Sequence, residues 1–176
     1  MSEQIQQAIQ SLSRAVEGNP AAAKVPFRAT TVSVEDDFST LSRIRSFDVR
    51  NDEPPELGGG NSGPNPVEAV LAALGSCQAI VYRAYANALG LHVDRVEVET
   101  RGHLDVRGFL GDPSVAAGFE RVTFTTRVVS PEPPEKIAEL ARRVEQHCPV
   151  LDILRRPILV AGTLEHVAPG AARDAA

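Results

Sequence analysis

The chain has 176 residues, 43% of them hydrophobic and 23% charged, the composition of one soluble globular domain and not of a collagen-like, mucin-like or wholly disordered chain. At this length folding buries roughly two-thirds of the surface of the unfolded chain, enough for a core without disulfide or metal staples. With 18 Lys and Arg against 23 Asp and Glu, a net charge of -5 and no basic block, nucleic acid is not expected as a partner.

At the N-terminus, Ile5, Ile9, Leu12 and Val16 recur at helical spacing before Gly18-Asn19-Pro20, which predicts a helical extension over residues 1–24. The opening Met-Ser-Glu-Gln-Ile-Gln-Gln has neither the basic nor the apolar stretch of a signal peptide, so a cytoplasmic location is expected. Apolar residues tend to alternate over Phe27 to Val34 and over Leu41 to Val49, with Glu35-Asp36-Asp37 between. That pattern predicts an antiparallel hairpin. Pro54 to Pro64 is a run of turn formers, either a linker or a functional loop; it lacks the Lys-Ser/Thr of a phosphate-binding loop.

Asn65-Pro66-Val67-Glu68 has the chemistry of a helix start, with Asn65 as cap, Pro66 at the first helical position and Glu68 able to close a capping box. The helix is predicted to run to about Leu89 and stop at Gly90. Its apolar part, Val67 to Val81, is interrupted by Glu68, Ser76, Cys77 and Gln78 and counts as too short for a bilayer span, so no membrane partner is expected. Rich in alanine, it reads as a central buried helix.

Two β-rich stretches follow, His92 to about Arg107 and Phe119 to Val129, linked by Gly111-Asp112-Pro113, and predict a second hairpin. Pro131 to Pro134 introduces an amphipathic helix with Ile137, Leu140, Ala141 and Val144 on one face. It ends at His147-Cys148-Pro149. A helical turn near Leu151 to Leu154 and a last strand over Pro157 to Ala161 complete the domain, 25–167, and 168–176 reads as a disordered tail. The succession is α+β. One apolar helix on so few strands does not close a core alone, whereas a homodimer sharing its central helices would cover both faces.

The two cysteines, Cys77 and Cys148, stand 71 positions apart with no C-x-x-C spacing, unlike a zinc site. A purely structural disulfide does not suit a reducing compartment. Two readings stay open on the residues alone: inert packing thiols, or a redox pair. Cys77 lies about three turns inside its helix, beyond reach of the helix dipole, so as a nucleophile it needs a cation from elsewhere. Cys148 sits at a bend that suits a resolving thiol. His147 beside it is either a proton relay or a helix C-cap. His92, His103 and His166 have no metal spacing, and no metal or bound cofactor is expected.

Gly63-Pro64-Asn65-Pro66-Val67-Glu68, leading through Leu71-Ala72-Ala73-Leu74-Gly75-Ser76-Cys77, together with His147-Cys148-Pro149-Val150, resembles the OsmC/Ohr proteins, the osmotically inducible protein C and organic hydroperoxide resistance proteins, in their general OsmC-like branch. The resemblance spans roughly Val25 to Val167. It implies an OsmC-like fold: antiparallel sheets wrapped around long central cysteine-bearing helices in an intertwined homodimer, with active sites at the subunit interface. It also implies a cytoplasmic thiol peroxidase that reduces organic hydroperoxides. Cys77 would become a sulfenic acid, Cys148 would capture it as a disulfide, and an external dithiol reductant of the dihydrolipoyl type would restore both thiols.

The family further uses an Arg–Glu pair beside the reactive thiol. By resemblance Arg50, in Phe47-Asp48-Val49-Arg50, is the first candidate for the arginine and Arg28 the reserve. The family's glutamate position, directly after Asn-Pro, is occupied by Val67. Glu68 is the nearest carboxylate, as catalytic group or as cap; nine residues before Cys77, it falls on the opposite side of a regular helix. Two rival functions are a non-catalytic dimer of this fold that binds a small apolar ligand, and a thiol redox sensor in which the disulfide moves the Gly-rich loop.

Overall fold

The computed structural model describes residues 3–34 and 37–168. The expected tail beyond Ala168 and most of the turn at residues 35–37 lie outside them. Helix α1, Glu3–Gly18, comes first, with no buried residue. A three-stranded antiparallel meander follows: β1 Thr30–Ser33, β2 Thr40–Ile44 and β3 Phe47–Asn51, with β2 in the middle. The second predicted strand, Leu41 to Val49, is therefore two strands. It turns back at Arg45-Ser46, between paired Ile44 and Phe47, with Arg45 at a φ of 57°. Arginine gives no turn signal in sequence, and here its guanidinium lies 5.1 Å from the centre of the Phe47 ring, a cation–π contact that holds the tight turn.

The run of turn formers after β3 is ordered by one side chain. Asp52, 3% exposed, accepts hydrogen bonds from the Ser62 N–H (2.9 Å), the Ser62 hydroxyl (2.8 Å) and the Glu53 N–H (2.8 Å). These bonds hold its carboxyl below the usual range. The fold-back is so close that a Cβ on Gly59 would meet the Glu53 carbonyl oxygen at 1.9 Å, hence glycine there. The Asp52 N–H and the Asn51 side chain both donate to the Pro64 carbonyl, which delivers the chain to Asn65 in position to cap.

Helix α2, Pro66–Ala88, starts and stops as predicted. Asn65 accepts from the Glu68 N–H and Glu68 accepts from the Asn65 N–H, and Gly90 at a φ of 67° ends it. Its buried stripe is Leu74, Gln78, Tyr82 and Ala86, every fourth residue. By length and composition α2 is also long and apolar enough to cross a bilayer, which the shorter stretch counted from the sequence concealed. Core helices of folded domains meet the same test, and the stripe packs against protein.

The partners are β4, Arg95–Leu104, and β5, Phe119–Val129, an antiparallel pair joined through the single turn α3, Val106–Phe109, then α4, Pro134–His147, and α5, Pro149–Arg155. Two apolar clusters form where these meet α2. Tyr82, Ala86, Leu91, Val93, Leu140 and Val144 make one, with Val96 and Val128 from the hairpin. Leu74, Cys148 and Leu151 make the other, with Cys77, Val122, Phe124 and Val150 against them. Burying each large aliphatic side chain is worth about 1.5–3 kcal/mol.

Two expectations change. Pro157 to Ala161 forms no strand with any of the described residues, leaving Leu159 96% exposed. The helix read as buried all round is covered incompletely: the hairpin, α4 and α5 take one side, and α1 approaches the other through Ile5, Ala8 and Ile9, where Ile80 stays 65% exposed.

Candidate functional site

Cys77 lies on α2 one residue before the buried Gln78, half-buried against the second apolar cluster. Cys148, 1% exposed, is the single residue between two helices: it caps α4 at its C-terminus and α5 at its N-terminus, with Pro149 opening α5. Proline cannot continue α4. The chain therefore bends at Cys148 and drives its side chain inward, between Leu74 and Leu151. The two cysteines, both free, come together there in one apolar cluster, close enough for Cys77 to bear on the Cys148 thiol.

Burial pushes the Cys148 thiol up from its ordinary pKa, since the apolar surroundings disfavour the anion. The Leu151 backbone N–H acts against this, and the neighbouring Cys77 sulfur adds to it. Cys148 is thus held toward its neutral thiol form.

The charged candidates lie elsewhere in the chain. Glu68 is exposed and its carboxylate is occupied by the Asn65 N–H at 2.9 Å. Arg50, on β3 opposite Leu41, donates to the Ser39 hydroxyl at 3.4 Å. Arg28 lies in the unpaired stretch before β1, beside Val25 and Phe27. Among the described residues no hydrogen bond or ion pair joins Arg50, Arg28 or Glu68 to Cys77. His147 is exposed and its Nδ1 bonds the Arg143 carbonyl at 2.8 Å, with its ring 5.3 Å from that of Tyr85; it caps the end of α4.

Sequence reasoning missed two residues around this site. Asp52 fixes the approach to α2, but its role depends on a partner ten residues away. Gln78 is 1% exposed, takes a bond from the Thr126 hydroxyl at 3.3 Å and leaves its Nε2 with no partner among the described residues. Its signal was available: a polar residue at four-residue spacing from Leu74 and Tyr82 on an apolar stripe.

The sequence profile of the family described as OsmC-like protein matches residues 59–161, which takes in both cysteines and the elements that carry them. No curated protein matches the chain in sequence. Solved structures share the fold. An OsmC-like protein from Mycoplasma pneumoniae superposes with a TM-score of 0.65 at 20% identity, covering 74% of this chain and 88% of that one. An organic hydroperoxide resistance protein OsmC from Legionella pneumophila gives 0.54 at 18%, covering 75% and 92%. An organic hydroperoxide resistance protein from Elizabethkingia anophelis gives 0.57 at 15%, covering 75% and 89%. With more than half its length matched, and with an α+β fold of antiparallel sheets and helices in common with these structures, the chain belongs to the OsmC-like protein family.

Proposed function

We propose that this protein is a thiol-dependent peroxidase that reduces organic hydroperoxides. The observation that carries the reading is the meeting of Cys77 and Cys148 in one apolar cluster, close enough for the one to bear on the other's thiol. The Cys77 thiolate attacks the terminal peroxide oxygen; an S–O bond forms as O–O breaks, and the alkoxide takes up a proton to leave as an alcohol. The Cys148 sulfur then attacks the Cys77 sulfenic acid. S–S forms, S–O breaks, and hydroxide leaves as water with the proton that Cys148 carried. A dithiol of the dihydrolipoyl class returns two electrons and two protons. Two structural neighbours are named organic hydroperoxide resistance proteins, which agrees with this substrate class.

The working unit on this reading is a cytoplasmic homodimer. Support comes from apolar surface that one chain leaves open: Phe27 at 94%, Leu159 at 96% and Leu164 at 92% exposed, with Ile80 of α2 also largely exposed. The cation that Cys77 requires comes from the second copy, with Arg50 as its first candidate, while Glu68 serves its own helix as a cap. The sensor reading finds less support, because Asp52 pins the loop that the disulfide would have to move.

The test is to mix reduced protein with one equivalent of an organic hydroperoxide and follow intact mass and peptide maps within seconds. The expected result is loss of two protons and a Cys77–Cys148 linkage, abolished in Cys77→Ser. Thiols still reduced after minutes would overturn the peroxidase and leave the ligand-binding dimer as the better account.

A further inference from the structure

A polar contact lies in the core beside the two cysteines. The Thr126 hydroxyl donates to Gln78 Oε1 at 3.3 Å. That bond orients the amide with Nε2 outward from Thr126. That nitrogen is buried and has no acceptor among the described residues. A buried donor without an acceptor is costly, and an apolar side chain of the same shape would avoid the cost.

The position of this donor suggests what it waits for. Gln78 follows Cys77 on α2, about 100° further round the helix, and both side chains meet the same face of β5. Cys77 packs in the cluster with Val122 and Phe124, and Gln78 bonds Thr126, the next inward residue of a strand whose side chains alternate. The cluster around Cys77 consists of Leu74, Val122, Phe124, Val150, Leu151 and Cys148, which offers no side-chain donor except the Cys148 thiol. In the dithiol state neither sulfur is a strong acceptor. Oxidation of Cys77 brings an oxygen atom into this apolar layer.

We propose that the free Nε2–H of Gln78 binds the oxygen of the Cys77 sulfenic acid and stabilises it as it departs when Cys148 attacks. The proposal rests on the peroxidase reading for the origin of that oxygen. Negative charge builds on the oxygen as the S–O bond breaks, so an N–H donor whose amide is held by Thr126 favours the transition state of the resolving step. Peroxide attack, which comes first, is left to the thiolate and its cation. Gln78 thereby acts on the second half-reaction alone.

The experiment uses the full chain and follows disulfide closure by stopped-flow and quenched mass spectrometry, with dimedone to trap sulfenic acid, after one equivalent of cumene hydroperoxide or of hydrogen peroxide. Gln78→Met keeps shape and removes the donor; closure should slow about tenfold, the equivalent of 1.4 kcal/mol, with dimedone adduct accumulating, peroxide consumption unchanged within twofold, and thermal stability equal or higher. Gln78→Glu keeps the bond from Thr126 and loses the donor when ionised. Its closure rate, relative to wild type at the same pH, should recover as pH falls and the buried carboxyl regains a proton, a signature that a packing role would not produce. Closure at the wild-type rate in Gln78→Met would overturn the role of Gln78 and leave the peroxidase standing. Closure with hydrogen peroxide but not with the organic substrate would overturn the substrate reading while the comparison of variants still decides Gln78. No disulfide in the wild type with either oxidant would overturn both.

Discussion

The body built from α2, the β4–β5 hairpin, α4 and α5 contains nearly every fully buried apolar side chain of the described chain, whereas the meander β1–β3 exposes Val32, Ile44, Phe47 and Val49. Both are antiparallel sheets of similar chemistry, and the difference is what lies on them. The hairpin has a helix on its inner face; the meander has none from its own chain. A sheet with no covered face lacks the burial that makes strands stable, so the proposed dimer would supply the meander's cover, while the body needs none to bring Cys77 and Cys148 together.

The sharpest way to break this contrast is to remove one side chain from each region. Leu74→Ala, at a site with no exposure, leaves a cavity between α2 and Cys148 and is expected to cost about 2–5 kcal/mol in chemical denaturation. Phe47→Ser, on the open meander, is expected to change single-chain stability by no more than about 1 kcal/mol, the worth of its exposed contact with Arg45, and to shift sedimentation from dimer to monomer. A large loss of single-chain stability in Phe47→Ser would show that the meander is covered within its own chain.

Smaller effects separate the cap from the chemistry at the start of α2. Asn65→Ala should cost about 1 kcal/mol. Glu68→Gln preserves the capping box, since glutamine also accepts the returning bond, and removes the charge. Stability and hydroperoxide turnover are both expected to stay near wild type. A tenfold loss of turnover in stable Glu68→Gln protein would make the carboxylate part of the reaction, and would place it at the other copy's thiol.

The same contrast governs how much was legible in the sequence. Local chemistry was: the Asn65–Glu68 cap, Gly90 as the stop of α2, and the bend at Cys148-Pro149 all depend on residues within one turn of each other, and the structure places them as read. Non-local geometry was not. Ile44 and Phe47 look like one alternating strand until Arg45 takes a left-handed conformation, and Pro157 to Ala161 has a strand's composition but no edge to join within the chain. The family resemblance identified Cys77 and Cys148, but the pocket that presses them together depends on Leu74, Leu151 and Phe124, three elements that no local pattern links. Gln78 escaped because a single polar residue on an apolar stripe reads as an interruption until its partner on β5 is known.

The loop between meander and body supplies a test by acid. Asp52 is held below its ordinary pKa chiefly by the Ser62 backbone and hydroxyl, so the folded state prefers the carboxylate. Its contribution is present above the unfolded value near pH 3.9 and is lost as pH falls through the lower folded value. Asp52→Asn should therefore flatten the acid limb of the stability profile below about pH 4 and leave the neutral-to-alkaline limb in place. An unchanged acid limb would mean that the loop is not held by this carboxylate.

The reactive pair supplies the matching test by base, and the smallest effect. Burial raises the Cys148 pKa in the folded state, so between the unfolded value near 8.5 and the folded value the native chain binds the extra proton. Stability from this group is present below about pH 8.5 and declines as pH rises through that window. Tyr82, also raised by burial, takes over only above its unfolded value near 10. Cys148→Ala should flatten the first part of the alkaline decline and Tyr82→Phe the second. Closing the Cys77–Cys148 disulfide removes the same titrating thiol without a substitution, so oxidised wild type should lose the first part too. If the slope between about pH 8.5 and 10 survives both the substitution and the oxidation, the Cys148 thiol is not buried as described, and the apolar setting on which the proposed reaction of the pair depends is absent as well.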